Sequence, residues 1–172
     1  MTNSRRPPPP LDRRALEDLA LRYVGRFATT RGKLADYLAR KVRERGWDGP
    51  LADPKEIAER MAGLGYIDDR AFAEARARSL ARRGYGAGRV GQALKAARIA
   101  QDDIGEVIEQ SEEQALESAL AFARRRRIGP FATLPVDERG RQRHMAAMLR
   151  AGHSFTLARR IVAAAPGDVL EP

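Results

Sequence analysis

Cysteine is absent from the 172 residues. That excludes disulfides, thiolate nucleophiles and most structural zinc sites, and it suits a reducing compartment. Histidine is nearly absent too. His144 and His153 have no second metal-ligating partner nearby in sequence, so no transition-metal site, cofactor or nucleophile–base pair is expected. Aromatic residues are only 6% of the chain, and no window approaches the ~20 consecutive apolar residues of a membrane span. β-Branched residues are also few. Arg and Ala dominate instead, a bias that favours helix because unbranched side chains and Ala lose little rotamer freedom there.

Apolar residues at 43% are enough to bury a core, so the chain is not compositionally disordered. The net charge of +9 and pI near 10.7 favour polyanionic partners, of which nucleic acid is the commonest in a cytoplasm. The plainer reading is a genome that places arginine where others use lysine. Arg5 and Arg6 are followed by Pro7 to Pro10 rather than by an apolar stretch, which argues against a twin-arginine signal. Residues 1–11 are expected to form a disordered, polyproline-leaning leader on a cytoplasmic, monomeric protein with no membrane segment.

Helical periodicity runs almost end to end. Asp12 precedes a stripe of Leu16, Leu19, Ala20 and Tyr23, and a second helix from about Thr30 carries Leu34, Leu38 and Val42. Asp53-Pro54-Lys55-Glu56 places Asp at N-cap, Pro at N1 and Glu at N3. Asp68 caps the next start, with Ile67 and Phe72 spaced as a hydrophobic staple. Asp68 and Asp69 are adjacent, and adjacent helical residues do not face each other, so capping is favoured over acid–base or metal chemistry. After the Gly84 to Gly88 turn come helices near Arg89–Arg98 and Ile104–Ile108, the latter capped by Asp102 or Asp103. Ser111-Glu112-Glu113-Gln114 reads as a capping box for a helix through Arg127, with Ser111 as the cap. A last pair spans roughly 137–151 and 154–165.

These nine helices group in threes. Leu94, Ile99, Ile104, Val107 and Ile108 match Met148, His153, Ala158, Ile161 and Val162 at a constant offset of 54 residues. The expected fold is therefore all-α, three tandem three-helix repeats in an elongated curved array, over residues 12–66, 67–110 and 111–165, with a tail at 166–172. Charge is segregated within the repeats. Ala75 to Gln101 and Arg139 to Gly167 hold basic residues and no acid, which would lay basic ridges suited to a phosphate backbone. The candidate contact residues are Arg82, Arg83, Tyr85, Arg89, Lys95, Arg98, Arg124, Arg125, Arg126, Arg127, Arg143 and Arg150. Tyr85 beside Arg83 and Arg89 could offer a stacking face. The glycine run lacks the Gly-Lys-Ser/Thr ending of a P-loop and follows a helix, so a plain turn is favoured over nucleotide binding.

The run Leu64-Gly65-Tyr66-Ile67-Asp68-Asp69-Arg70-Ala71-Phe72-Ala73 resembles the central signature of the RecX family. Arg82-Arg83-Gly84-Tyr85-Gly86-Ala87-Gly88-Arg89-Val90 is similar to its second-helix motif, and Met148-Leu149-Arg150-Ala151-Gly152-His153-Ser154 to its C-terminal motif. In the last, Ala151 and His153 stand where a basic residue and an aromatic are usual. The resemblance implies tandem three-helix repeats and a non-enzymatic regulator of recombination, DNA repair and the SOS response. It implies as partners the RecA recombinase and its filament, with single-stranded DNA met directly or through the filament. Restraint of ATP hydrolysis, strand exchange and co-protease activity would follow. The alternative from the residues alone is a basic all-α protein that binds DNA or RNA directly, with Arg82 to Arg98 as its docking region.

Overall fold

Nine α-helices and one 3-10 turn (Gly129–Phe131) carry the regular structure of residues 9–171, the part of the chain described by the computed structural model. The helices are α1 Arg13–Val24, α2 Arg31–Arg45, α3 Pro54–Gly63, α4 Asp69–Arg82, α5 Ala87–Ala96, α6 Gln101–Glu113, α7 Ala115–Arg126, α8 Glu138–Arg150 and α9 Phe155–Ala163. The only extended pairing among the described residues is a single bridge between Leu11 and Trp47. The fold is all-α.

Most helix starts have a side-chain acceptor three residues before the N–H it serves. Asp12 accepts from Ala15, Thr30 from Lys33, Asp53 from Glu56, Asp68 from Ala71, Asp137 from Gly140 and Ser154 from Leu157, at 2.7 to 3.3 Å. Two expected caps are corrected. Ser111 lies inside α6 and its hydroxyl donates backwards to the Val107 carbonyl at 2.7 Å, an interior arrangement. The helix break comes instead at Gln114, which opens α7 with no side-chain cap. Asp102 does not cap α6 either, because that helix starts one residue earlier, after Ala100. The Asp103 side chain lies outside the described residues.

The chain divides into two compact units. The first holds residues up to Phe72 together with Ala97–Ile99. Its core is Leu16, Ala20, Leu34, Leu38, Ile57, Ala58, Met61 and Ile67, with Leu11 fully buried among them. Leu11, expected in the leader, donates its N–H to the Gly46 carbonyl and accepts from Asp48 N–H, which makes it part of this unit. Pro9, also expected in the leader, accepts from the Arg45 guanidinium at 2.9 Å, and residues 1–8 lie outside the described residues. Asp69 is buried and fastens the start of α2: one oxygen accepts the Arg31 backbone N–H at 3.0 Å, the other its guanidinium at 3.1 Å. That hydrogen bond is the main reason Arg31 holds its proton more tightly than usual. Thr30, also buried, donates to the Ala97 carbonyl.

The second unit holds Ala73–Ala96 and the chain from Ala100 onward. Ala119, Phe122, Ala123, Ile128, Met148, Ala151, Ala158, Ile161 and Val162 form its largest described core, against which Tyr85 and Leu170 pack. Full burial of each leucine-sized side chain stabilises by about 1.5–3 kcal/mol.

Candidate functional site

The site lies in the second unit, where the turn after α4 meets the turn after α8. Gly86 N–H donates to the Ala151 carbonyl at 2.9 Å and Gly88 N–H to the Gly152 carbonyl at 3.1 Å, so main chain meets main chain. A Cβ on Gly152, whose φ is +90°, would collide with the backbone of Arg89, and one on Gly86 would collide with the Gly152 carbonyl. Only glycine permits this approach.

His153 locks the junction. It is 6% exposed, and its Nε2 lies 3.0 Å from the Gly84 carbonyl, 69 residues back in sequence. A carbonyl only accepts, so the ring proton is placed on Nε2, leaving a buried Nδ1 with no hydrogen-bond partner. Burial pushes the imidazole pKa below its ordinary value, against the opposing pull of the Gly84 carbonyl. The Phe122 ring sits 5.7 Å from the imidazole, centroid to centroid.

Above this floor opens a groove of about 1040 Å³. Arg89 reaches it from α5, Arg126 from α7 and Arg150 from α8, with Tyr85 and Phe122 in the wall and Glu112 of α6 at its side. All three arginines are exposed, and no carboxylate among the described residues pairs with them. Two arginines at this turn lie over aromatic rings: Arg126 at 5.7 Å from the Phe122 centroid and Arg83 at 5.2 Å from that of Tyr85. A guanidinium group carries several donors in a fixed fork, a set that suits phosphate or carboxylate oxygens.

The remaining candidates are placed elsewhere. Arg125 donates to the Arg82 carbonyl at 2.6 Å, tying α7 to the end of α4. Arg124 lies 5.0 Å from the Phe131 centroid, and Arg127 ends α7 in the left-handed region at φ +54°. Lys95 and Arg143 are exposed but do not line the groove. Arg98 belongs to the first unit, where it pairs with Asp36 at 3.1 Å. Glu112, Phe122 and the glycine stitch were not singled out as site features from sequence. The signal available for the stitch was a glycine pair in one motif and a lone glycine in another, both demanding close backbone approach.

No group of three or more potential metal ligands occurs among the described residues, and no described helix is long and apolar enough to cross a membrane. The groove can attract, orient and hold an anion.

Comparison with known proteins gives a consistent result. Residues 68–108 match the family described as RecX, second three-helix domain. The chain is 32% identical over 165 residues to the regulatory protein RecX of Myxococcus xanthus, covering 88% of this chain and 86% of that protein. It is 36% identical over 154 residues to the regulatory protein RecX of Halorhodospira halophila, covering 90% of each. A crystal structure of regulatory protein RecX superposes with a TM-score of 0.59 at 23% identity, over 86% of this chain and 69% of that one, a likeness of fold.

Proposed function

The chain belongs to the RecX family of regulatory proteins, and from that premise we propose that it acts without catalysis, by docking on a RecA-type recombinase filament assembled on single-stranded DNA. It restrains ATP hydrolysis, strand exchange and co-protease activity by occupancy, in cytoplasmic recombination and repair. The division into three tandem repeats, 12–66, 67–110 and 111–165, is part of the same reading.

The observation that carries the contact face is the convergence of Arg89, Arg126 and Arg150 on one groove, from three different helices and without carboxylate partners. An array of that kind attracts a polyanionic assembly at long range and loses its grip as salt rises. Tyr85 lines the same groove, with the Arg83 guanidinium 5.2 Å from its ring centroid.

The test is ATP turnover by the cognate recombinase on single-stranded DNA with this protein titrated in, beside a naked-DNA binding assay at matched salt. Suppression at concentrations well below those that coat the DNA is the expected result. No effect until the strand is saturated would replace this reading with direct competition for DNA. The groove variant Arg89→Ala/Arg126→Ala/Arg150→Ala is expected to lose the suppression while keeping its helicity.

A further inference from the structure

We infer that the groove of the second unit reads the phosphodiester backbone of a single strand and not its bases, and that Glu112 limits how tightly it does so. This rests on the groove being the contact face proposed above. Three features point to phosphate. The Arg126 guanidinium lies 5.7 Å from the Phe122 centroid and that of Arg83 5.2 Å from the Tyr85 centroid, so a base stacking on either ring would compete with a cation already beside it. The main-chain donors of the groove floor are spent, Gly86 and Gly88 N–H on Ala151 and Gly152; the His153 Nδ1 is buried against the glycine turn, and Gln92, the one side-chain amide in the lining, accepts from Arg89 at 3.4 Å. What faces outward is charge with forked donors, from Arg89, Arg126 and Arg150.

Glu112 is the exception in the lining. It is exposed, and it has no described ion-pair partner. A carboxylate that faces the same groove as three guanidinium groups repels a phosphate without neutralising any one arginine. Its effect is to hold down affinity for bare nucleic acid, so that occupancy needs contacts supplied by the rest of the filament. Acidic peptide would be repelled by the same carboxylate and drawn by the same arginines; Leu149 is the one aliphatic side chain larger than alanine in the lining, so the groove offers such a peptide few apolar anchors.

The experiment uses the full chain and three labelled 20-mers: oligo-dT, oligo-dA and an abasic strand with the same number of phosphates. Binding is measured across a salt series, and recombinase ATP turnover is read in parallel. The three strands are expected to bind within about threefold of one another. The log–log salt slope is expected to fall by about 2 in the triple arginine-to-alanine variant, since each single-strand phosphate contact contributes roughly 0.7. Glu112→Gln is expected to tighten all three strands about threefold to tenfold, a gain that misfolding cannot produce. Arg126→Lys is expected to weaken binding with the slope unchanged, because charge is kept and the fork is lost.

A tenfold or greater loss on the abasic strand would overturn the proposal in favour of base recognition. An unchanged slope in a folded triple variant would overturn it too. Should that variant keep oligonucleotide binding but lose suppression of ATP turnover, the groove contacts protein: the phosphate assignment falls and the filament reading stands. The reverse result, oligonucleotide binding lost and suppression kept, supports the phosphate assignment and removes the groove from the filament contact.

Discussion

The arginines of the two units are used differently. In the first unit they tie elements together: Arg13 reaches Glu56 at 2.7 Å, Arg60 reaches Glu17 at 3.0 Å, Arg98 reaches Asp36 at 3.1 Å and Arg31 reaches the buried Asp69. In the second unit the described ion pairs stay within single helices, Arg78 with Glu74 and Arg141 with Glu138, while the groove arginines have none. A net charge of +9 is therefore a poor guide to a surface until the paired charges are set aside. Exposed pairs of this kind contribute about 0–1 kcal/mol each, so their chief effect in the first unit is to neutralise. The Asp69 contact differs because its carboxylate is 4% exposed.

That contrast can be broken in graded steps. Asp69→Ala strands the Arg31 guanidinium and the first free N–H of α2, and a loss of about 3 kcal/mol in urea unfolding is expected, at the low end for a buried pair because Arg31 retains Glu59 and some solvent. A loss below about 1 kcal/mol would show that the first unit does not depend on this contact. Alanine at Arg89, Arg126 and Arg150 together should leave unfolding within about 0.5 kcal/mol of the parent, while strand affinity at low salt drops about a hundredfold. If stability fell as well, the groove arginines would be structural and the contrast would fail.

Asp53→Ala should lower stability by about 1 kcal/mol as a lost cap. His153 sharpens the picture through pH. Its folded-state pKa lies below the unfolded value of about 6.5, so at lower pH the unfolded chain binds the proton more readily than the folded one. Stability is then intact above that value and declines as pH falls below it. Thermal melts from pH 8 to pH 5 should show the decline in the parent and a flatter profile in His153→Phe; equal slopes would remove His153 as the cause. Ser111→Ala should be nearly silent, within about 0.3 kcal/mol, since its hydroxyl makes only a backward bond inside α6.

Ser111 also marks where local reading of the sequence fails. A capping box is a pattern over four residues, and it says nothing of whether the residues before it are already helical. Here α6 meets neither Gly nor Pro between Glu106 and Glu113, so it runs through the pattern. Asp53 and Asp68 are legible because each follows a glycine- or proline-marked break that frees the chain to start afresh. The exposed arginines could be found by composition alone. Their meeting could not, because Arg89, Arg126 and Arg150 come from three helices separated by dozens of residues. Nor could the first-unit place of Arg98, whose backbone sits at φ +58° with its Cβ and carbonyl close against Gly32. Leu11 was hidden by the prolines beside it, although its backbone pairs on both sides with the loop at Trp47.

The stitch between Gly86, Gly88, Ala151 and Gly152 holds the two turns together with main-chain atoms alone. The bonds themselves use no side chain, so the seat does not depend on which side chains form the walls above it. Substitution of Arg89, Arg126, Arg150 or Glu112 therefore leaves the main-chain bonds of the seat as they are, whereas a side chain at Gly86 or Gly152 would meet backbone and force the turns apart.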